Sequence, residues 1–267
     1  MIIKITNTIY FVNTILSIYI LIFILKNNKI DYIENFNSTI NKYYVISLDN
    51  KKGLEKWNRM KNTILGKKLM KITGINGKEI NIADYIRKNL IKNKWDHGKW
   101  KYNKSNYINI SPSEIGCCLS HLKVWNKIND DKSEISMVLE DDAQLFHNDF
   151  ENIVNKLLIN VPNDWDIILL GYGVTPKMME KEYNINGLYK VDGFVLTHCY
   201  LIRRKCVNIL LKNLPIDMPI DTWISKHSDK INIYRHNMNF GKSTKWSYLI
   251  KQNNKDFGSE IEHTNNI

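Results

Sequence analysis

Cysteine is scarce in this chain, with four residues among 267, at positions 117, 118, 199 and 206. None of them stands in a Cys-x-x-Cys spacing, which excludes the common zinc ribbons and thioredoxin-type redox centres. Adjacent Cys117 and Cys118 are poor disulfide partners for one another. The four read as small buried residues, with a bridge from one pair to the other left open. Acid is also in short supply: 27 Asp and Glu face 38 Lys and Arg, for a net charge of +11. Such an excess favours anionic partners. Yet no long basic block, aromatic RNA-binding motif or zinc-finger spacing is present, so nucleic acid is not an expected partner. Lysine, isoleucine and asparagine are overused together, as in a chain from a biased genome. Internal repeats are missing as well.

The chain does have ordinary globular content, 43% hydrophobic and 24% charged, and enough length for a substantial core. Its one long apolar run is Ile9–Leu25, 17 residues without a charge. That length sits at the short end of a membrane span, and no small-residue cleavage site follows it. We expect residues 1–41 to be an uncleaved hydrophobic anchor and polar linker; a removed signal peptide and a buried core helix are the alternatives. Asn37-Ser38-Thr39 and Asn103-Lys104-Ser105 are glycosylation sequons that matter only if the body faces a lumen.

Residues 42–250 read as one α/β domain, followed by a polar tail, 251–267. Tyr43–Asn50 is a β-branched run ending in a polar turn, and Lys51–Leu65 has helical character. A second strand leaves through the glycine-rich stretch Gly74–Ile80. Asn81–Asn109 is polar and aromatic and reads as a mobile excursion, in which Trp95 and Trp100 are either a ligand-stacking platform or packing residues. Ser111, Pro112 and Glu114 form a capping box that predicts a helix of about four turns. Strands at Ser136–Leu139, Asp164–Gly173 and Phe194–Arg204 alternate with helices at Phe150–Ile159 and Lys205–Leu214. This alternation implies a sheet of mostly parallel strands.

Three consecutive acids, Glu140, Asp141 and Asp142, end the strand read at Ser136–Leu139. Ligands of open α/β sheets bind outside the carboxyl ends of strands. Adjacent carboxylates repel one another unless a cation compensates, and oxygen ligands of this kind suit Mg²⁺ or Mn²⁺ completed by substrate phosphates. A solvated loop is the plainer alternative for an isolated acidic triplet.

The ordered set Val45–Asp49 (VISLD), Gly74–Ile80 (GINGKEI), Ser113–Trp125 (SEIGCCLSHLKVW), Met137–Asp142 (MVLEDD), Asp166–Gly171 (DIILLG), His198–Leu211 (HCYLIRRKCVNILL) and Met218–Trp223 (MPIDTW) resembles glycosyltransferase family 25. The family includes bacterial lipooligosaccharide and procollagen galactosyltransferases. The resemblance spans about Tyr43 to Trp223. It implies a GT-A type nucleotide-sugar-binding sheet and an inverting, metal-dependent hexosyltransferase that carries galactose from UDP to a glycan or protein hydroxyl. It implies further that Glu140, Asp141 and Asp142 hold Mn²⁺ or Mg²⁺, that Ser47, Leu48, Asp49, Glu114 and His121 border the donor, and that Asp221 stands where the family keeps an acid near the acceptor. Transfer with inversion needs a base for the acceptor hydroxyl's proton, and Asp221 is the expected catalytic base. Asp217 has no counterpart in the family. His236 reads as a surface residue, with a metal-ligand role as its alternative. The chain departs from the family pattern at Asn76, at Lys242 and in the lysines and lone Arg59 that replace an arginine-rich segment.

Overall fold

The computed structural model describes residues 39–94, 111–145, 148–173, 183–185, 188–236 and 250–252. The run Ile9–Leu25, both sequons apart from Thr39, Trp95, Trp100, Lys242 and nearly all of the tail lie outside the described residues. Among the described residues, no helix is long and apolar enough to cross a membrane.

Alternation along the strands builds two cores. In β1 (Lys42–Ser47), Tyr44 and Ile46 turn toward one hydrophobic cluster, and Tyr43 and Val45 toward the other. A strand buried on both faces reads as a continuous apolar run, which is why "YYVIS" is legible in the sequence. Asn50 caps α1 (Lys51–Lys61), accepting a hydrogen bond of 2.8 Å from Gly53 N. The chain continues through β2 (Leu69–Thr73), the short α2 (Ile82–Arg87) and α3 (Pro112–Asp130). Then come β3 (Ile135–Glu140), β4 (Ala143–Leu145), α4 (Phe150–Asn160) and β5 (Ile167–Gly173). A hairpin of β6 (Tyr183–Ile185) and β7 (Leu188–Val191) precedes β8 (Val195–Arg203), α5 (Arg204–Lys212) and α6 (Ile220–Lys226). The last strands are β9 (Ile233–His236) and β10 (Ile250–Gln252).

Eight strands form one sheet in the order β2, β1, β3, β8, β5, β9, β7, β6. One cluster joins α3, α5 and α6 to one face through Leu119, Trp125, Val207 and Trp223. The other joins α1 and α4 to the opposite face through Met60, Phe150, Val154 and Leu157. The result is a three-layer α/β sandwich. Each fully buried large apolar side chain stabilises it by about 2 kcal/mol.

The sheet corrects the expectation of mostly parallel strands. Pairings β1–β2, β1–β3 and β5–β9 are parallel, but β8 runs antiparallel to both its neighbours, β3 and β5, and β6, β7 and β9 pair antiparallel in turn. Parallel neighbours need a crossover, usually helical. Between β5 and β8 the described residues hold the β6–β7 hairpin.

Two further differences concern length. The first part of the predicted Asn81–Asn109 excursion is instead packed structure: α2 forms there, and Ile91, 1% exposed, bridges to Ile216, while residues 95–109 lie outside the described residues. At the other end, β10 pairs with β4 directly behind the acidic turn, so the ordered body reaches Gln252.

A close approach sets the geometry near the ends of β1 and β2. A methyl group on Gly77 would lie 1.6 Å from Pro112 O, and one on Gly116 would lie 2.5 Å from Ile75 O. Only glycine lets the loop after β2 rest on the first turns of α3. Gly77→Ala is therefore expected to lower stability by about 3 kcal/mol, as overpacking against backbone does. A chemical-unfolding curve with an unshifted midpoint would contradict this.

Candidate active site

A cavity of about 120 Å³ opens where β1, β2 and β3 end, beneath α3. Its walls include Ser47 and Leu48 after β1, Asn76 and Gly77 after β2, and Glu140, Asp141 and Asp142 after β3. Ser113, Cys117, Ser120 and His121 face it from α3, and Lys56 from α1. This is the sheet edge at which α/β folds bind ligands.

The Glu-x-Gly-Cys-x-x-Ser-His segment has a physical reason at each position. The Glu114 carboxylate accepts from Ser111 N at 2.9 Å while Ser111 Oγ accepts from Glu114 N at 3.2 Å, closing the capping box. Gly116 admits the neighbouring loop, and Ser120 Oγ accepts from Ile75 N at 2.8 Å while donating to Gly116 O at 2.7 Å. Cys117 faces the cavity, and His121, fully buried, reaches Glu140 Oε1 at 3.3 Å through Nε2. The segment stitches the helix to the loop and the strand end that frame the cavity.

The three acids sit in different surroundings. Burial pushes the Glu140 carboxyl up, but the hydrogen bond and electrostatic attraction to His121, followed by the hydrogen bond from Thr197, outweigh it and hold the group below the usual carboxylate range. Thr197 Oγ1 donates to Glu140 Oε1 at 2.7 Å. Asp141 is raised by burial, against opposing attraction from Lys56 and a hydrogen bond from Ser47. Lys56 Nζ lies 3.4 Å from its Oδ1, with both side chains largely buried. Arg59 fixes the turn from behind by donating to Asp141 O at 2.5 Å and Ala143 O at 3.3 Å. Asp142 is 6% exposed and borders the cavity.

Removing one member of a buried ion pair strands the other. Lys56→Met is expected to cost about 3 kcal/mol of stability, most of it recovered in a Lys56→Met/Asp141→Asn double variant. Additive losses in that cycle would show that the two residues are not coupled.

The structure gathers Ser47, Leu48, His121 and the three acids around one cavity and leaves the other candidates apart. Asp49 is an exposed residue paired with Lys71, and Glu114 is spent on the helix cap; neither lines the cavity. Asp221, in the first turn of α6, accepts from Leu196 N at 2.8 Å and Thr222 N at 2.6 Å. Burial raises its carboxyl despite those hydrogen bonds, and the charge on Glu140 adds to the effect. Leu196 holds a φ of 69°, a left-handed conformation unfavourable for leucine. The start of β8 thus links two acids, Asp221 through Leu196 N–H and Glu140 through the Thr197 hydroxyl. Asp217 is a structural acid, salt-bridged to Lys226 at 2.7 Å and Lys92 at 3.3 Å. His236 is half-buried at the end of β9, with two strands between it and β3, and burial pushes its pKa down to about 4. All four cysteines are free.

Sequence reasoning missed Lys56, Thr197 and Tyr200. Lys56 is one lysine among many, and Thr197 and Tyr200 look like ordinary strand residues.

Cys117, His121 and Glu140 each present a ligand atom within 4.8 Å of the others, the kind of cluster that can hold a metal ion. The model of a family described as "Glycosyltransferase family 25 (LPS biosynthesis protein)" matches residues 40–224, which contain every cavity residue named above. The chain belongs to glycosyltransferase family 25.

Within the family, the chain is 30% identical over 132 residues to procollagen galactosyltransferase 2 of Homo sapiens, covering 44% of this chain and 20% of that protein. It is 31% identical over 133 residues to procollagen galactosyltransferase 1 of Danio rerio, covering 44% and 21%. It is also 30% identical over 124 residues to the "Inactive glycosyltransferase 25 family member 3" of Homo sapiens, covering 43% and 20%. The alignments thus span about a fifth of each of these relatives. A solved structure of UDP-glucose pyrophosphorylase complexed with UDP-glucose superposes with a TM-score of 0.39 at 11% identity, covering 74% of this chain and 90% of that one. That likeness is too distant to carry an argument.

Proposed function

We propose that this family 25 chain is an inverting GT-A type glycosyltransferase that moves a hexose, with galactose the first candidate, from a UDP-sugar to a hydroxyl of a glycan or hydroxylysine-containing protein. The observation that carries the reading is the convergence of Glu140, Asp141 and Asp142 with the ends of β1 and β2 in one cavity. Galactose rests on the names of the procollagen galactosyltransferases.

The donor set fits a hard divalent cation such as Mn²⁺ or Mg²⁺. Glu140 is held ionised and Asp142 borders the same cavity, whereas Asp141 is engaged by Lys56. Glu140 and Asp142 would hold the ion. When bound, it would act as a Lewis acid that neutralises charge on the departing diphosphate. Ser47 and Leu48 border the donor at the end of β1, and Lys56 adds a cation to the same wall. Asp221 is the proposed base that takes the proton of the attacking acceptor hydroxyl. The reading retains the membrane anchor at Ile9–Leu25, supported by the charge-free run alone.

A second reading, a catalytically silent binding module, has one observation in its favour, the similarity to the inactive human family member. UDP release by the full chain from a panel of UDP-sugars, with and without Mn²⁺, separates the two. Turnover of one sugar that depends on Mn²⁺ supports the enzyme and identifies its donor. No turnover of any sugar, with UDP still bound, moves the silent module to the front.

A further inference from the structure

Two roles compete for His121 in the Cys117, His121 and Glu140 cluster: ligand to a cation, or hydrogen-bond donor to the carboxylate. Proton counting decides between them. Trp125 Nε1 carries a hydrogen and no lone pair, so its 3.0 Å contact with the Tyr200 hydroxyl makes that oxygen an acceptor. The phenol still has one proton of its own to place. His121 Nδ1 lies 2.9 Å away, and the two rings stack with centroids 5.7 Å apart. Nδ1 therefore accepts and carries no proton. A neutral imidazole with a bare Nδ1 is protonated at Nε2, and Nε2 faces Glu140 Oε1 at 3.3 Å and Thr197 Oγ1 at 3.4 Å. Trp125, His121 and Tyr200 are at most 1% exposed, so water does not compete for these hydrogen bonds.

Were Nε2 instead to ligate a cation, the proton would move to Nδ1. The Tyr200 hydroxyl would then meet donors on both sides, and its own proton would lose the acceptor this buried group has.

We propose that Trp125 and Tyr200 lock His121 in the Nε2–H tautomer, so that His121 aims and holds Glu140 as a positioning residue and is not itself a cation ligand. The tautomer follows from the hydrogen bonds alone; its purpose rests on Glu140 being a donor-site carboxylate. Fixing a ligating carboxylate through an outer hydrogen bond is a recurrent way to tune such sites.

The test is nitrogen NMR of the full chain labelled with ¹⁵N-histidine, recorded without metal or nucleotide, with His121 assigned by the loss of its signals in His121→Gln. The expected wild-type pattern is a protonated Nε2 beside a bare Nδ1. Tyr200→Phe keeps the ring but removes the donor to Nδ1. It should convert His121 to a mixture of tautomers and weaken Mn²⁺-dependent UDP binding about tenfold. Wild-type His121 protonated at Nδ1, or at both nitrogens, overturns the proposal whatever the variants do. So does a Tyr200→Phe protein with unchanged histidine signals, or Cd²⁺ binding that strips the proton from Nε2. The locked tautomer in a protein that binds no UDP with any metal would uphold the lock and overturn the donor-site reading instead.

Discussion

Asp142→Asn is expected to slow sugar-dependent UDP release by about a thousandfold while leaving the fold intact. The substitution preserves shape and removes one negative charge from the wall of the cavity, where Asp142 is 6% exposed. A Lewis acid held there would contribute several kcal/mol to the transition state, and each 1.4 kcal/mol or so is about tenfold in rate. Initial rates of UDP release, with near-ultraviolet circular dichroism as the check on folding, read the effect. A folded variant that keeps more than about a tenth of the wild-type rate would remove Asp142 from the metal site.

Asp221→Asn should lower kcat by between about a hundredfold and ten-thousandfold, the range for loss of a general base. The pH dependence of the wild type carries the same information. Burial raises the Asp221 carboxyl, so activity should fall on the acid side at a pH above the ordinary carboxylate range. Stability moves the opposite way. A carboxyl whose pKa is higher in the folded than in the unfolded chain binds its proton more tightly when folded. Its contribution is fully present below the unfolded value and is lost as pH rises through the folded one. Asp221→Asn should flatten both limbs. It also presents an amide N–H₂ toward one of the backbone donors, Leu196 N–H or Thr222 N–H, so Asp221→Glu is the companion variant. If Asp221→Asn keeps its rate and its acid limb, Asp221 is only a structural acid that ties the start of β8 to α6 through its two backbone hydrogen bonds.

Much of this fold is legible in the sequence where one physical signal dominates. The capping box at Ser111 and Glu114 placed the start of α3, though the helix runs 19 residues and not about four turns, because its far end has no stop signal before Asp131. The apolar run before Glu140 placed β3 and put its acids at the correct edge. What the sequence hides is strand direction. β8 has the composition of a buried parallel strand and is buried, yet it runs against both neighbours, since composition records burial and not polarity. The three-residue strands β4, β6 and β10 are too short for any periodicity to show. At the site, the acids stood out by type and spacing, whereas His121 stood out only through the family resemblance and by itself reads as a packed histidine. Thr197 and Tyr200, which complete the surroundings of Glu140 and His121, act through side-chain hydrogen bonds to residues far away in the chain, and no local pattern marks them.

Glu140 and Asp142 are proposed to bind a cation which in turn would bind the donor's diphosphate. UDP affinity measured by calorimetry on the full chain, with Mn²⁺ and with chelator, in wild type and in Asp142→Asn, tests it most directly. Mn²⁺ should tighten UDP binding to the wild type by about a hundredfold or more, and the variant should lose that gain. Equal UDP affinity with and without Mn²⁺, or an undiminished gain in the variant, would contradict it and leave the three acids as a structural turn.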